Sequence, residues 1–211
     1  MTILSQSNFP LLWDWFQFWI GGTIDKRKLC SLDISGNERV LEVGCSTGNI
    51  AEIFARLPDV QYVGLDIDLA ALKRASEKFK GASNLNFSGI PFLDYQQPEH
   101  PFDIVLFAGI LHHIDDATVQ AFLNHSKSLI KPDGKVIVVD PVLPEAQDPK
   151  LFHYFSKLEQ GQFVRSDTHL RKLLLDTVGL HITKSEAHFI GATPWSLPKV
   201  LRFGRYQLQH V

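Results

Sequence analysis

The chain has little cysteine, a single methionine, no surplus of charge and no long apolar run, and each scarcity excludes something. Two cysteines, Cys30 and Cys45, in 211 residues cannot build a disulfide scaffold. That usage fits a reducing, cytoplasmic setting. Lysine and arginine number 21 against 23 acids, a net charge of −2, so nothing favours electrostatic capture of nucleic acid and no nucleic-acid partner is expected. The most apolar stretch, FPLLWDWFQFWIGGTI over 9–24, contains Asp14 and Gln17, and it falls short of the roughly 20 residues that span a bilayer. The N-terminus shows neither the basic region nor the small-residue cleavage site of a secretory leader. Repeats and low-complexity tracts are absent too. What is present is 45% hydrophobic and 21% charged residues, enough for one globular domain that buries roughly 70% of its unfolded surface.

After residue 38, short apolar runs alternate with segments of helical period. Val40 to Val43, Val60 to Leu65, Leu85 to Phe87, Asp103 to Phe107 and Lys135 to Val139 read as strands. They lack polar alternation, the pattern of strands buried on both faces in a parallel, doubly wound sheet. Between them lie helices with apolar faces at Ile50, Ile53, Phe54 and Leu57, at Leu69, Leu72, Ala75 and Phe79, and at Val119, Phe122, Ser126 and Leu129. Asp68, and Asp115 or Asp116, stand where N-caps belong. Pro132-Asp133-Gly134 reads as a turn before the fifth strand. Ser166 opens a further helix through Leu170, Leu173, Leu174 and Val178, stopped by Gly179. His181 to Ile190 is strand-like, and a last strand around 200–208 is left open because Pro194 and Pro198 interrupt that region.

The most informative segment is VLEVGCSTGNIA, 40–51, which ends a strand, turns through two glycines and enters a helix. Glycines there let backbone amides approach a ligand at a helix N-terminus. The next strand ends at Gly64-Leu65-Asp66, and Asp66 follows Gly44 by 22 positions, where a carboxylate can accept both hydroxyls of a ribose. The plain alternative is a tight turn and a helix-capping aspartate. A dinucleotide loop wants G-x-G-x-x-G, but here glycines stand only at 44 and 48. Glu42, two residues before the loop, would repel a pyrophosphate and suits a ligand carrying an ammonium and a sulfonium.

LEVGCSTGN, YVGLDID, FDIVLFAGILHHI and LIKPDGKVIVVD, in that order and spacing, resemble the class I S-adenosylmethionine-dependent methyltransferases over about residues 35 to 142. The resemblance implies an α/β fold: a Rossmann-like, seven-stranded, mostly parallel sheet with helices on both faces and an N-terminal helical lid. It implies a lid over 1–34 and a cofactor-binding domain over 35–211. It places Gly44, Cys45, Ser46 and Gly48 along the methionine part of S-adenosylmethionine, Asp66 on the ribose and Ile67 on the adenine. Ala108 and Gly109 follow the fourth strand, where the methyl group is approached. The family often has Gly-Asp-Ala after the third strand, with the aspartate on the adenine amine. This chain has Gly89-Ile90-Pro91, so the adenine meets Ile90 or a backbone acceptor.

Methyl transfer from a sulfonium is an in-line displacement, and a hydroxyl acceptor calls for a base. His112 and His113 are the base candidates, against a plain reading as helix-capping or packing residues. The Asn/Asp-Pro-Pro-Tyr segment of base-amine methylation and a Pro-Cys nucleophile are absent. Asp140 is followed by Pro141 rather than Asn, so no catalytic metal is expected. His153 and Arg165 are weaker candidates for substrate contact, as is Glu159, against a plain reading as surface charge. Trp15 and Trp19 lie in the aromatic N-terminal segment, which reads as a lid over an apolar acceptor, as a buried helix, or as a surface for docking on a membrane or a protein. Together these residues predict methyl transfer to a small, fairly apolar molecule, with oxygen favoured as acceptor. An RNA methyltransferase and a non-catalytic, cofactor-binding partner subunit are the alternatives.

Overall fold

The computed structural model describes residues 23–96, 99–157, 161–191 and 197–211. Seven strands form one sheet in the order β3-β2-β1-β4-β5-β7-β6. They are β1 (Arg39–Val43), β2 (Gln61–Leu65), β3 (Leu85–Ser88), β4 (Phe102–Ala108), β5 (Ile130–Pro141), β6 (Leu180–Gly191) and β7 (Lys199–His210). β1 to β5 are parallel, β7 runs antiparallel to β5, and β6 antiparallel to β7. The expected Rossmann-like, mostly parallel sheet is therefore present.

Successive side chains of the central strands serve two cores. Val105, Phe107, Val136 and Val138 pack under α4 (Asp116–Leu129) and α6 (Asp167–Leu175). Their neighbours Ile104, Leu106, Ile137 and Val139 pack on the other face with Leu29 and Cys30 of α1 (Thr23–Ser31) and Ala51 and Phe54 of α2 (Ala51–Phe54). With both faces covered by helices, a polar alternation would bury charge, which is why these strands read as continuous apolar runs. The caps fall where the side chains predict them. Asp68 accepts the amides of Ala70 and Ala71 at the start of α3 (Leu69–Lys78), Asp115 that of Thr118, and Ser166 that of His169.

Several expectations need correction. Within 1–34, α1 packs into the core through Leu29 and Cys30, so the body of the domain begins by residue 23. Residues 1–22, with Trp15 and Trp19 and the expected lid, lie outside the described residues. Pro132-Asp133-Gly134 is not a free turn but part of a 12-residue β5, accommodated by a register shift against β4 between Phe102 and Ile104. α2 is one turn long, with only Ile50 and Phe54 of its expected apolar face buried and Ile53 and Leu57 half-buried. Leu69 is exposed at the first turn of α3, and Val178 is exposed beyond the end of α6. The seventh strand does form, beginning just after Pro198.

The order of strands reverses between β1 and β4, neighbours that lead to opposite edges of the sheet. The crevice above their C-terminal ends is where open α/β sheets bind ligands.

Candidate active site

The segment from Gly44 to Gly48 leaves β1 and crosses this crevice. Gly44 (φ +76°) is bound by its amide to the Leu65 carbonyl at 2.8 Å. A Cβ at Gly44 would stand 2.4 Å from Ile110 Cδ1, and one at Gly48 2.7 Å from the Phe79 ring. Both positions thus need glycine for positive φ and for the closeness of their neighbours. Ser46 also has positive φ, at 50°, an uncommon state for a residue with a side chain. It is held there by its own amide, which donates to Asp66 Oδ2 at 2.7 Å.

Asp66, just beyond β2, takes a second backbone bond from the Asp68 amide at 2.9 Å. An ionised carboxylate has about four acceptor positions, so acceptor capacity remains for hydroxyls of a ligand. The aliphatic side chains around it are unusually open. Ile67 is 77% exposed, and Leu69, Ile90 and Leu93 are exposed too. A carboxylate that accepts, beside an apolar shelf and a glycine cradle, matches the hydroxyls, the ring and the tail of an adenosine with a cationic tail. The residues present fit S-adenosylmethionine.

Beneath the cradle, Glu42 is 2% exposed and accepts the Tyr62 hydroxyl at 2.5 Å. Gly64 makes this possible, since a Cβ there would lie 2.8 Å from both the Tyr62 oxygen and the Cys45 sulfur. Burial, foremost, raises the Glu42 carboxyl to about 8; the Tyr62 hydrogen bond opposes that rise and the Asp66 charge adds to it. Burial likewise pushes the Cys45 thiol far above its ordinary range, which makes it an inert lining and not a nucleophile.

On the other side of the crevice, β4 ends at Ala108, and Gly109 (φ +73°) turns the chain into a 3₁₀ turn over Leu111–His113. His112 is 5% exposed and its Nδ1 lies 3.2 Å from Asp140 Oδ1, which also accepts the Leu111 amide at 3.1 Å. Asp140 stands near the end of β5 and is buried. His113 is exposed, its ring centroid 4.0 Å from that of His112. Ile110, two residues before His112, is the side chain that touches Gly44, so the histidines and the glycine loop share one crevice.

Arg165, expected as a substrate contact, is turned inward. It is 5% exposed, and its guanidinium donates to the carbonyls of Leu111, Phe163 and Ile114 and to Asp116 Oδ1. A group with its donors committed to the protein braces the His112 turn and does not reach for a ligand. His153 lies half-buried on α5 (Lys150–Ser156), near the Asp148 carboxylate that pairs with Arg202. Glu159 lies outside the described residues. Two functional candidates escaped the sequence reading. Tyr62 gives no local signal. Asp140 gives one, an acid ending the apolar run VIVV, but its histidine partner is 28 positions away.

A model of the methyltransferase domain matches residues 41–136, from β1 into β5. That stretch of the chain, a little under half of it, resembles a methyltransferase domain. Among similar proteins, a ubiquinone biosynthesis O-methyltransferase of Rhodopseudomonas palustris is 32% identical over 116 residues, 54% of this chain and 44% of that protein. An uncharacterized methyltransferase of Mycobacterium bovis is 32% identical over 127 residues, 60% of this chain and 61% of that one. The matches thus span about half the length of these curated relatives. Among solved structures, an S-adenosylmethionine-dependent methyltransferase from Aquifex aeolicus superposes with a TM-score of 0.69 at 16% identity, over 97% of this chain and 98% of that one. The mitomycin 7-O-methyltransferase MmcR gives 0.68 at 20% identity, over 90% and 54%. These likenesses show a shared fold. Among the described residues, no helix is long and apolar enough to cross a membrane.

Proposed function

We propose that this methyltransferase moves a methyl group from S-adenosylmethionine to an oxygen of a small, fairly apolar molecule. The observation that carries the reading is the buried His112–Asp140 pair, set beside the glycine loop at the ends of β4 and β5. The O-methyltransferase names of relatives that match part of the chain agree with it. The cofactor supplies an electrophilic methyl on a sulfonium. Asp66 holds the ribose, Ile67 and Ile90 flank the adenine, and Gly44, Cys45, Ser46 and Gly48 line the methionine part. Ala108 and Gly109 leave the approach to the methyl open. Asp140 fixes the His112 tautomer by accepting from Nδ1–H, which makes Nε2 the basic nitrogen for the acceptor's hydroxyl proton. The solvent-facing His113 is the lesser candidate.

Incubating the protein and labelled S-adenosylmethionine with a panel of phenols, catechols and hydroxylated lipids, and separately with transfer and ribosomal RNA, tests the reading. Label in a small molecule is expected, and label in RNA alone overturns it. General bases contribute about 10²- to 10⁴-fold, so His112→Gln is expected to lower kcat by at least about a hundredfold while leaving cofactor affinity within about twofold. Asp140→Asn is expected to lower it less and to distort the acidic limb of the pH profile. Unchanged turnover in both removes the base. Turnover is also expected to persist in EDTA, because among the described residues no three His, Cys, Asp or Glu side chains gather as metal ligands. Loss in EDTA that Mg²⁺ restores would show a metal role.

A further inference from the structure

Glu42 lies in β1 with apolar Leu106 of β4 in register on one side and Gly64 of β2 on the other. Its hydrogen-bond partner, Tyr62, donates a hydroxyl whose pKa burial raises well above its ordinary value. The remaining titratable groups facing it are Asp66 beyond β2, Cys45 in the glycine loop and Cys30 on α1. Lys26 and Arg205 approach from the Cys30 side, but Arg205 is bound to the carbonyls of Leu29 and Leu32 and to Asp33. Among the described residues, none of the ion pairs includes Glu42. A carboxylate taken out of water without a cation is costly, and the group avoids that cost by keeping its proton. A ligand whose methionine end carries an ammonium and a sulfonium brings to the loop above Glu42 the charge that the protein itself leaves out.

We propose that Glu42 is protonated in the empty protein and ionises as S-adenosylmethionine binds, so that binding releases one proton from this buried carboxyl to solvent. The inference rests on the placement of the methionine part along residues 44–48. Tyr62 remains the donor to the carboxylate in both states. Methyl transfer removes the sulfonium charge, one of the two cationic charges that hold Glu42 ionised. Glu42 takes up a proton again when the demethylated product leaves.

Calorimetric titration of S-adenosylmethionine into the full chain, in buffers of different ionisation enthalpy and between pH 6 and 9, counts the protons. Burial raises Glu42 to about 8, so release of about 0.9 proton per site is expected at pH 7, with affinity rising nearly tenfold per pH unit below pH 7.5 and levelling above 8. Glu42→Gln cannot ionise, so it should release no proton, show at most the uptake by the ligand's own amino group on binding as the ammonium, and lose the rise of affinity with pH. Tyr62→Phe supplies a second test. It removes a hydrogen bond that favours the charged form, so the midpoint of the affinity profile should move to higher pH. Equal proton release and equal slopes in the wild type and Glu42→Gln, or an unmoved midpoint in Tyr62→Phe, overturn the proposal and leave the cofactor assignment standing. No binding by the wild type at any pH overturns both.

Discussion

Replacing Asp66 with alanine is expected to weaken S-adenosylmethionine binding by about a hundredfold. Hydrogen bonds to a charged group contribute roughly 1.5–3 kcal/mol each, and two ribose hydroxyls at the lower value already account for about that factor. The carboxylate also has partners within the protein. It accepts the Ser46 amide at 2.7 Å and the Asp68 amide at 2.9 Å, so its removal also frees Ser46 from its left-handed backbone conformation and loosens the glycine loop. Asp66→Asn keeps one acceptor oxygen and should fall between the wild type and alanine. Calorimetric titration decides the matter. An affinity unchanged in Asp66→Ala would place the ribose elsewhere. A melting temperature unchanged alongside a lost affinity would show that the effect is on binding and not on the fold.

The second large effect is on stability. Arg165→Leu is expected to cost about 3–5 kcal/mol, the range seen when one partner of a buried charged network is removed. The carbonyls of Leu111, Ile114 and Phe163 would lose donors within 3.0 Å, and each buried group left unpaired carries a penalty of its own. For a domain with 5–15 kcal/mol of total stability that loss is severe, and for this length it lowers the midpoint of thermal unfolding by about 10 °C. Two of the three carbonyls flank His112, so turnover should fall as well. A thermal melt separates this from a substrate contact. If Arg165 served a ligand, the variant would melt like the wild type and lose only activity.

How much of this was legible differs from element to element. β4 and the second half of β5 were plain, since DIVLF and KVIVV are buried on both faces. The caps Asp68 and Ser166 were plain as well, and the third was narrowed to Asp115 or Asp116, because capping depends on residues a few positions apart. That Asp66 meets the glycine loop, where it accepts the Ser46 amide, could be expected from its spacing to Gly44 alone. Arg165 could not be read in the same way. Its partners lie about 50 positions earlier, and its own surroundings, FVRSD, look like any polar loop. Pro132-Asp133-Gly134 misled for the opposite reason. The local signal for a turn was genuine, but the strand pairing of β5 on either side of it absorbed the irregularity as a shift in register. Glu42 stood out as an acid in an apolar strand, while Tyr62, the group that satisfies it, sits in the adjacent strand where only the tertiary structure brings the two together.

The position of β7 between β5 and β6 bears on how the protein is made. Translation delivers β5 and β6 first, yet the two never pair with each other; each waits for a strand that has not yet been synthesised. Until residues 199–210 leave the ribosome, the nascent chain therefore holds two unsatisfied strand edges, one of them on the buried and strongly apolar β5. Unpaired edges of that kind recruit other chains. The interval before β7 emerges is thus the one in which this protein most depends on chaperones, and a message cut short before β7 yields a product fit for degradation and not for partial function.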